Sequence, residues 1–346
     1  MARIRYVSSG VATAIALIAI GAGLTIGKVA FAGDSGDTGP GTSPVAGRKI
    51  DVITKATDSE FWQSMLAGSK KAGADYGIRL GLFGPTSETD IDGQVKLVEN
   101  SISRGVDAIV LASNSSSALN GVVDRARKRG IKVVTVDNAI STDSEGFIGT
   151  DNIKAGEQAG QRMCELLKDK GHPDGKVLHE SSVSGQQVLV DRFTGFKKGL
   201  AEGCPKAQIS QTLVNDNDPN KALGQVGDVL TSKPDVVGIF ADNNVSGTGA
   251  ARAVKEKNAA DRVVSIAFDS DPAEVDGVRA GTLSAIVVQN PFFFGYQGVV
   301  EAAMAVRGST PPLNIDPGAV LIDKSLVDKA QFAQLLNPPK TSGAHG

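Results

Sequence analysis

The sequence predicts an α/β protein built on parallel sheets with helices on both faces. Three observations carry that prediction. From Lys49 onward, short runs rich in β-branched residues alternate with amphipathic stretches whose apolar residues recur every three or four positions. The runs are nearly continuous in apolar residues, as strands buried on both faces should be. Glycine closes the amphipathic stretches, as at Gly77, Gly105 and Gly130, where a helix commonly ends.

The first strand is KIDVIT, from Lys49. After it comes DSEFWQS, which holds the only tryptophan of the chain, and then the helical pattern SMLAGSKKAGADYG. RLGLFG from Arg79, AIVLAS from Ala108 and KVVTVD from Lys132 are the next strands, separated by the helical patterns DGQVKLVENSISRG and LNGVVDRARKRG. Residues 141–152 (STDSEGFIGTDN) break the rhythm with only a short strand-like FIGT, which suits a crossover between two domains. The alternation then resumes with KVLHESS from Lys176, ISQTLV from Ile209, VVGIFAD from Val236, VVSIAF from Val263 and SAIVVQ from Ser284. These nine runs allow one sheet or two.

Composition excludes several classes. Lys plus Arg is 36 and Asp plus Glu 38, a net charge of −2, so no basic excess points to nucleic acid. Two cysteines and three scattered histidines (His172, His179, His345) give no metal-binding spacing, and no cofactor is expected. Arg3 and Arg5, the apolar stretch 11–26 and Ala30-Phe31-Ala32 form the pattern of a secretory signal over residues 1–32. An uncleaved membrane anchor is the competing reading, since residues 6–26 could nearly span a bilayer. In an oxidising compartment Cys164 and Cys204 are a disulfide candidate. Residues 33–48 read as a flexible Gly/Ser/Asp/Pro tether, and 337–346 as a frayed, disordered tail.

In open parallel sheets ligands bind beyond the carboxyl ends of the strands. Here those ends carry mostly Asp, Asn, Gln, Ser and Thr, at 58–62, 113–117, 137–138, 150–152, 183–187, 242–244, 269–271 and 289–291. Hydroxyls and amides with a few carboxylates suit a neutral, hydroxyl-rich ligand. A sugar ring offers an apolar face of C–H groups to rings such as Phe61 and Trp62. Its hydroxyl edge offers donors to carboxylates such as Asp137 and Asp269, and charge-assisted bonds are about twice as strong as neutral ones. The competing readings are plain. The two rings could pack a helix N-terminus onto the sheet, and each Asp could be a helix N-cap.

At these residues the chain resembles the periplasmic sugar-binding proteins of the ribose-binding type, which serve ATP-binding cassette importers. The blocks FWQSMLAGSKKAGADYG, VENSISRGVDAIVLASNSSSAL, GIKVVTVD, IGTDN with AGEQAG, DRFTGFKKGL, KPDVVGIFADNN, VVSIAFDSDP and AIVVQNPFFFGYQGV carry the resemblance over about residues 49–335. It implies a type I periplasmic binding protein fold of two Rossmann-like lobes, 49–150 plus 290–319 and 151–289 plus 320–336, joined by three crossovers. It further implies a sugar or polyol trapped between the lobes by hinge closure, a monomer, an exported location, and a membrane permease of an importer as partner. Ser59, Phe61 and Trp62 fall at the first-loop ligand position. Asp137 matches a hydroxyl-gripping acid, Thr150 lies at the first crossover, and Arg192 matches an arginine that reaches the sugar. Asn243, Asp269 and Gln289 match an amide, an acid and an amide of the site.

The chain also departs from the ribose binders. Ala112 stands where they carry Asn, Asn138 where they carry Arg, Asn217 where they carry an aromatic, and Ser59 where they carry Asn. By this pattern the pocket lacks one positive charge and one stacking ring, so a different pentose, a hexose or a polyol fits as well as ribose. Three other classes compete. A glycosidase-like enzyme would use Asp137 and Asp269 as its pair, yet the chain has no G-x-S-x-G elbow and no other catalytic constellation. A regulator of the lactose-repressor type would need an N-terminal helix-turn-helix, and that place holds the signal-like segment. A ligand-presenting sensor or chemoreceptor partner would share the same binding core.

Overall fold

The computed structural model describes residues 43–310 and 314–341. The predicted signal segment 1–32 and most of the tether 33–48 lie outside the described residues. The chain divides into two compact units. One runs to Thr150 and adds Asn290–Gly318 and the stretch from Pro338, while the other holds Asp151–Gln289 and Ala319–Asn337.

The first unit is a six-stranded parallel sheet of β1 (Lys49–Ile53), β2 (Arg79–Phe83), β3 (Ala108–Leu111), β4 (Lys132–Val136), β5 (Gly146–Ile148) and β11 (Asn314–Ile315), in the order β11-β5-β4-β3-β1-β2. Successive residues of a strand face opposite sides, which explains the continuous apolar runs. Ile50, Val52 and Val110 pack on α1 (Glu60–Tyr76) and α9 (Pro291–Val306) through Met65, Phe294 and Val299. Ile53, Ile109 and Leu111 pack on α2 (Ile91–Arg104) and α3 (Asn120–Lys128) through Val98 and Val123. Two glycines set the spacing of α1 and α9. A Cβ at Gly68 would lie 1.9 Å from the Phe292 carbonyl oxygen, and one at Gly295 would lie 1.8 Å from that of Met65.

The second unit has β6 (Lys176–Ser181), β7 (Gln208–Val214), β8 (Val236–Ala241), β9 (Val264–Phe268), β10 (Ala285–Val288) and β12 (Val320–Asp323), in the order β12-β10-β9-β8-β6-β7. This sheet is parallel except for its edge strand, since β12 runs antiparallel to β10. It enters the sheet from the last passage between units rather than from a covering helix, so nothing imposes the parallel direction. Helices α4 (Asn152–Asp169), α5 (Gln187–Gly203), α6 (Pro219–Ser232), α7 (Asn244–Glu256), α8 (Pro272–Ala280) and α10 (Ala333–Leu336) complete the unit. A disulfide joins Cys164 of α4 to Cys204, the residue after α5, and both are buried.

The expectation of a disordered tail from Asn337 also needs correction as far as Thr341. Lys340 pairs with Glu60, and the Thr341 backbone N–H donates to the Gln63 carbonyl at 3.3 Å, so this stretch is tied to α1. Residues 342–346 lie outside the described residues. Among the described residues no helix is long and apolar enough to cross a membrane.

Candidate functional site

The carboxyl ends of the first unit's strands gather a charged and aromatic group. Lys55 lies two residues past β1 and is 3% exposed, and its Nζ is 2.7 Å from Asp137 Oδ2. Asp137 follows β4 directly and takes a φ of 61°, a left-handed conformation that few non-glycine residues adopt but that Asp tolerates. Its backbone N–H donates to the Ile148 carbonyl at 2.8 Å, which fixes the turn. Asp137 is therefore not a helix cap. Its carboxylate is aimed by strained backbone and held by a buried ammonium.

Lys55 Nζ is also 5.6 Å from the Trp62 ring centroid, within cation–π range. The indole Nε1 donates to Glu88 Oε1 at 3.0 Å. Phe61 meets Trp62 edge-on at 4.8 Å and Phe294 at 6.4 Å. Both Phe61 and Trp62 belong to the core cluster, so the packing role weighed for them is real. Trp62 differs in adding two polar contacts. Asp58 stands beside this group. Burial pushes its carboxyl above the usual range against a backbone hydrogen bond that lowers it, and the charge of Glu88 adds to the rise. Ser59 occupies the N-cap position of α1 without capping through its side chain.

The second unit assembles its own set. Arg192 of α5 is 3% exposed. Its Nε donates to Asn152 Oδ1 at 2.9 Å and its Nη1 to the Asp242 carbonyl at 2.7 Å. The guanidinium carbon stands 4.3 Å from the Phe268 ring centroid. Close helix packing fixes this position, since a Cβ at Gly156 of α4 would lie 2.1 Å from the Arg192 carbonyl oxygen. Asp269 follows β9 with a φ of 84°. Its Oδ1 accepts from Gln289 Nε2 at 2.7 Å and its Oδ2 from the Asn244 backbone N–H at 3.2 Å. Asn243 is a helix cap, its Oδ1 accepting from the Ser246 N–H at 2.9 Å, which leaves its amide nitrogen to point elsewhere.

Below these tips lies a buried polar layer. Asp242 Oδ2 accepts from Ser181 Oγ at 2.5 Å and lies 3.1 Å from His179 Nε2. The His179 ring stacks on Phe193 at 3.7 Å and on Phe240 at 5.6 Å. Glu180 is wholly buried, and burial pushes its carboxyl up to about 8 against a hydrogen bond from Asn215, with the charge of Asp242 adding to the rise. Burial likewise raises Glu274 well above the carboxylate range, helped by the charges of Asp271 and Asp269. The serine and the imidazole both address the carboxylate rather than each other. No relay therefore activates Ser181 as a nucleophile.

Among the predicted site residues, the first unit thus holds Asp137 and Trp62 around Lys55, with Phe61 behind Trp62. Thr150 is buried and ends the first segment of that unit, next to Asp151, which caps α4 at the Lys154 N–H. The second unit holds Asp269 with Gln289, and Arg192 bonded to the carbonyl of Asp242, the residue before Asn243. Lys55 and Glu88 lie outside the strand ends singled out from the sequence, whereas Asp242 falls in the 242–244 strand end without an assigned role and His179 was weighed only among the histidines. Asn138 carries no charge, and the ammonium beside Asp137 comes from Lys55, past the end of β1. Asn138 itself donates its Nδ2 to the Ser113 carbonyl at 2.9 Å. The available signal was a lone lysine between Thr54 and Ala56, at the end of a buried strand. Among the described residues no group of three His, Cys, Asp or Glu is placed to hold a metal ion.

Comparison with known proteins follows the same lines. Residues 50–310 match the family model described as a periplasmic binding protein domain. The D-allose-binding periplasmic protein of Escherichia coli is 28% identical over 298 residues, covering 83% of this chain and 94% of that one. A carbohydrate-transporter solute-binding protein of Agrobacterium radiobacter, solved with D-arabinose, superposes with a TM-score of 0.82 at 30% identity, covering 84% of this chain and 99% of its own. A transporter solute-binding protein of Agrobacterium vitis, solved with D-fucose, gives 0.78 at 33% identity, covering 83% and 99%.

Proposed function

The chain belongs to the periplasmic binding protein domain family, and from that premise we propose that it captures a sugar or similar polyol and delivers it to an ATP-binding cassette importer. It is a binding protein of a transport system and not an enzyme, as its relatives are. Family membership implies export. The finer reading is that residues 1–32 direct export, that a membrane permease is the partner, and that the protein acts as a monomer.

The observation that carries the proposal is the pairing of Asp137 with Lys55 beside the Trp62 ring. A carboxylate with a fixed cation partner keeps lone pairs for hydroxyl donors, the ammonium donates to hydroxyl oxygens, and the indole covers C–H groups. Asp269 is oriented in the same way by Gln289, and Arg192 supplies a second cation. In the proposed mechanism one ligand engages both sets, and a closed state is selected because only there are both satisfied. Ser59 and Thr150 contribute hydroxyls, Phe61 supports the ring, and the Asn243 amide donates.

The test is a thermal-shift screen of the full chain against D-arabinose, D-fucose, D-allose, other hexoses, pentoses and polyols, with Trp62 emission followed in parallel. A ligand at a hundredfold excess over its Kd stabilises by about 2.7 kcal/mol. A saturable shift with an emission change is the expected result. A folded protein that responds to none of these compounds would remove the sugar reading.

A further inference from the structure

Asn114 stands three residues beyond the last residue of β3 and is 2% exposed. Its backbone N–H donates to Gln94 Oε1 at 2.8 Å. Gln94 Nε2 in turn donates to the carbonyls of Thr54, at 2.9 Å, and Ala112, at 2.7 Å. One buried glutamine of α2 therefore ties Asn114 to the ends of both β1 and β3. In the sheet β3 lies next to β1 and to β4, whose ends carry Lys55 and Asp137. Asn114 thus belongs to the same row of strand ends as that ion pair.

Its side chain is different from its neighbours. Ser113 Oγ donates to the Ser115 carbonyl at 2.6 Å, and Asn138 Nδ2 donates to the Ser113 carbonyl. The Asn114 amide is buried, yet neither its Nδ2 nor its Oδ1 has a hydrogen-bond partner among the described residues. Ser59 Oγ, on the β1–α1 connection, is another such atom. Each unsatisfied buried group costs about 1–3 kcal/mol, and native folds keep few of them. A leucine would fill the same volume without that cost. Ala112, at the strand end itself, offers no polar side chain.

We propose that Asn114 is a specificity-determining residue of the ligand site. Its Nδ2 donates to one hydroxyl oxygen of the ligand, and its Oδ1 accepts from the adjacent hydroxyl. A side-chain amide presents donor and acceptor side by side, so it selects a pair of neighbouring hydroxyls and discriminates against ligands lacking either one. This inference rests on the sugar-binding reading above.

The experiment is calorimetric titration of D-arabinose, D-fucose and D-allose into the full chain and its Asn114→Leu and Asn114→Asp variants, with thermal unfolding of each. For the sugar that binds the unaltered protein, Asn114→Leu is expected to bind about 10- to 100-fold more weakly, the loss of two hydrogen bonds. It should unfold at the same temperature or higher, because an unsatisfied amide has gone. Asn114→Asp keeps the shape and an acceptor but loses the donor, and is expected to weaken binding at least about tenfold; it also answers the question should the leucine variant not fold. A folded variant of either kind that binds within about twofold of the unaltered protein overturns this inference and leaves the sugar reading standing. An unaltered protein that binds no sugar or polyol of the wider screen overturns both, and one that binds another compound of that screen is titrated with it in the same three forms.

Discussion

Lys55 Nζ and Asp137 Oδ2 lie 2.7 Å apart with both side chains almost wholly buried. A buried ion pair is costly to desolvate, and an apolar pair of the same size would often be at least as stable. Its place at the strand ends fits the role in ligand capture proposed above better than one in stability. Removing one partner leaves an uncompensated buried charge, so Lys55→Met and Asp137→Leu are each expected to cost about 3–5 kcal/mol. The double variant should regain most of that loss while binding no sugar. Urea denaturation of the three variants checks the stability cycle, and equal losses in the single and double variants would contradict it.

The Trp62 indole N–H is held by Glu88 at 3.0 Å. Glu88→Ala is expected to destabilise the protein by about 1–3 kcal/mol by leaving that donor unpaired, and Glu88→Gln to cost less because it keeps an acceptor. Trp62 is the only tryptophan, so its emission reports the change without ambiguity. Identical spectra for both variants and the unaltered protein would show that Glu88 does not position the ring.

Stability should fall with rising pH through buried glutamates, Glu274 among them, and two of these fix the pH windows. Glu180 is raised from 4.5 to about 8, chiefly by burial, and Glu301 of α9 from 4.5 to about 7, again by burial. Between the unfolded and folded values the native protein holds a proton that the unfolded chain has lost. The stabilisation is therefore complete below about pH 4.5 and is lost as pH rises toward 7 for Glu301 and toward 8 for Glu180. Each one-proton difference changes stability by about 1.4 kcal/mol per pH unit. Glu180→Gln should flatten the decline between pH 7 and pH 8, and Glu301→Gln should reduce only the part below about pH 7. Denaturant midpoints measured from pH 5 upward give the answer, and a slope unchanged by both substitutions would contradict the assignment.

The Cys164–Cys204 disulfide spans 40 residues and fastens the end of α5 to α4. Reduction, or replacement of both cysteines by alanine, is expected to lower stability by about 2–4 kcal/mol. The same denaturant midpoint with and without a reducing agent would show the bridge to be absent in solution.

Much of the fold was legible because parallel strands buried on both faces must be apolar throughout, and KVVTV or AIVL can be little else. β11 and β12 were not legible. β11 has two residues, and VLID of β12 follows a Pro/Gly-containing stretch with no helix to announce it. The site was legible as a set of strand ends, which singled out Asp137, Asp269, Trp62 and the 113–117 segment holding Asn114. It was not legible as a set of partners. A lysine such as Lys55 resembles a surface residue until the sheet brings β4 beside β3 and the far strand end supplies Asp137. Glu88, in the polar PTSETD loop, carries no periodicity that would mark it for the indole.

The central claim is that two sets of strand-end residues, one in each unit, grip one ligand. Calorimetric titration of the best-binding sugar into Asp137→Asn and Asp269→Asn tests it most directly, since the two acids belong to different units. Each substitution keeps the size of the side chain and removes a charge-assisted acceptor, so each should weaken binding by about 10- to 100-fold. Undiminished affinity in either folded variant would mean that its unit does not hold the ligand through these residues.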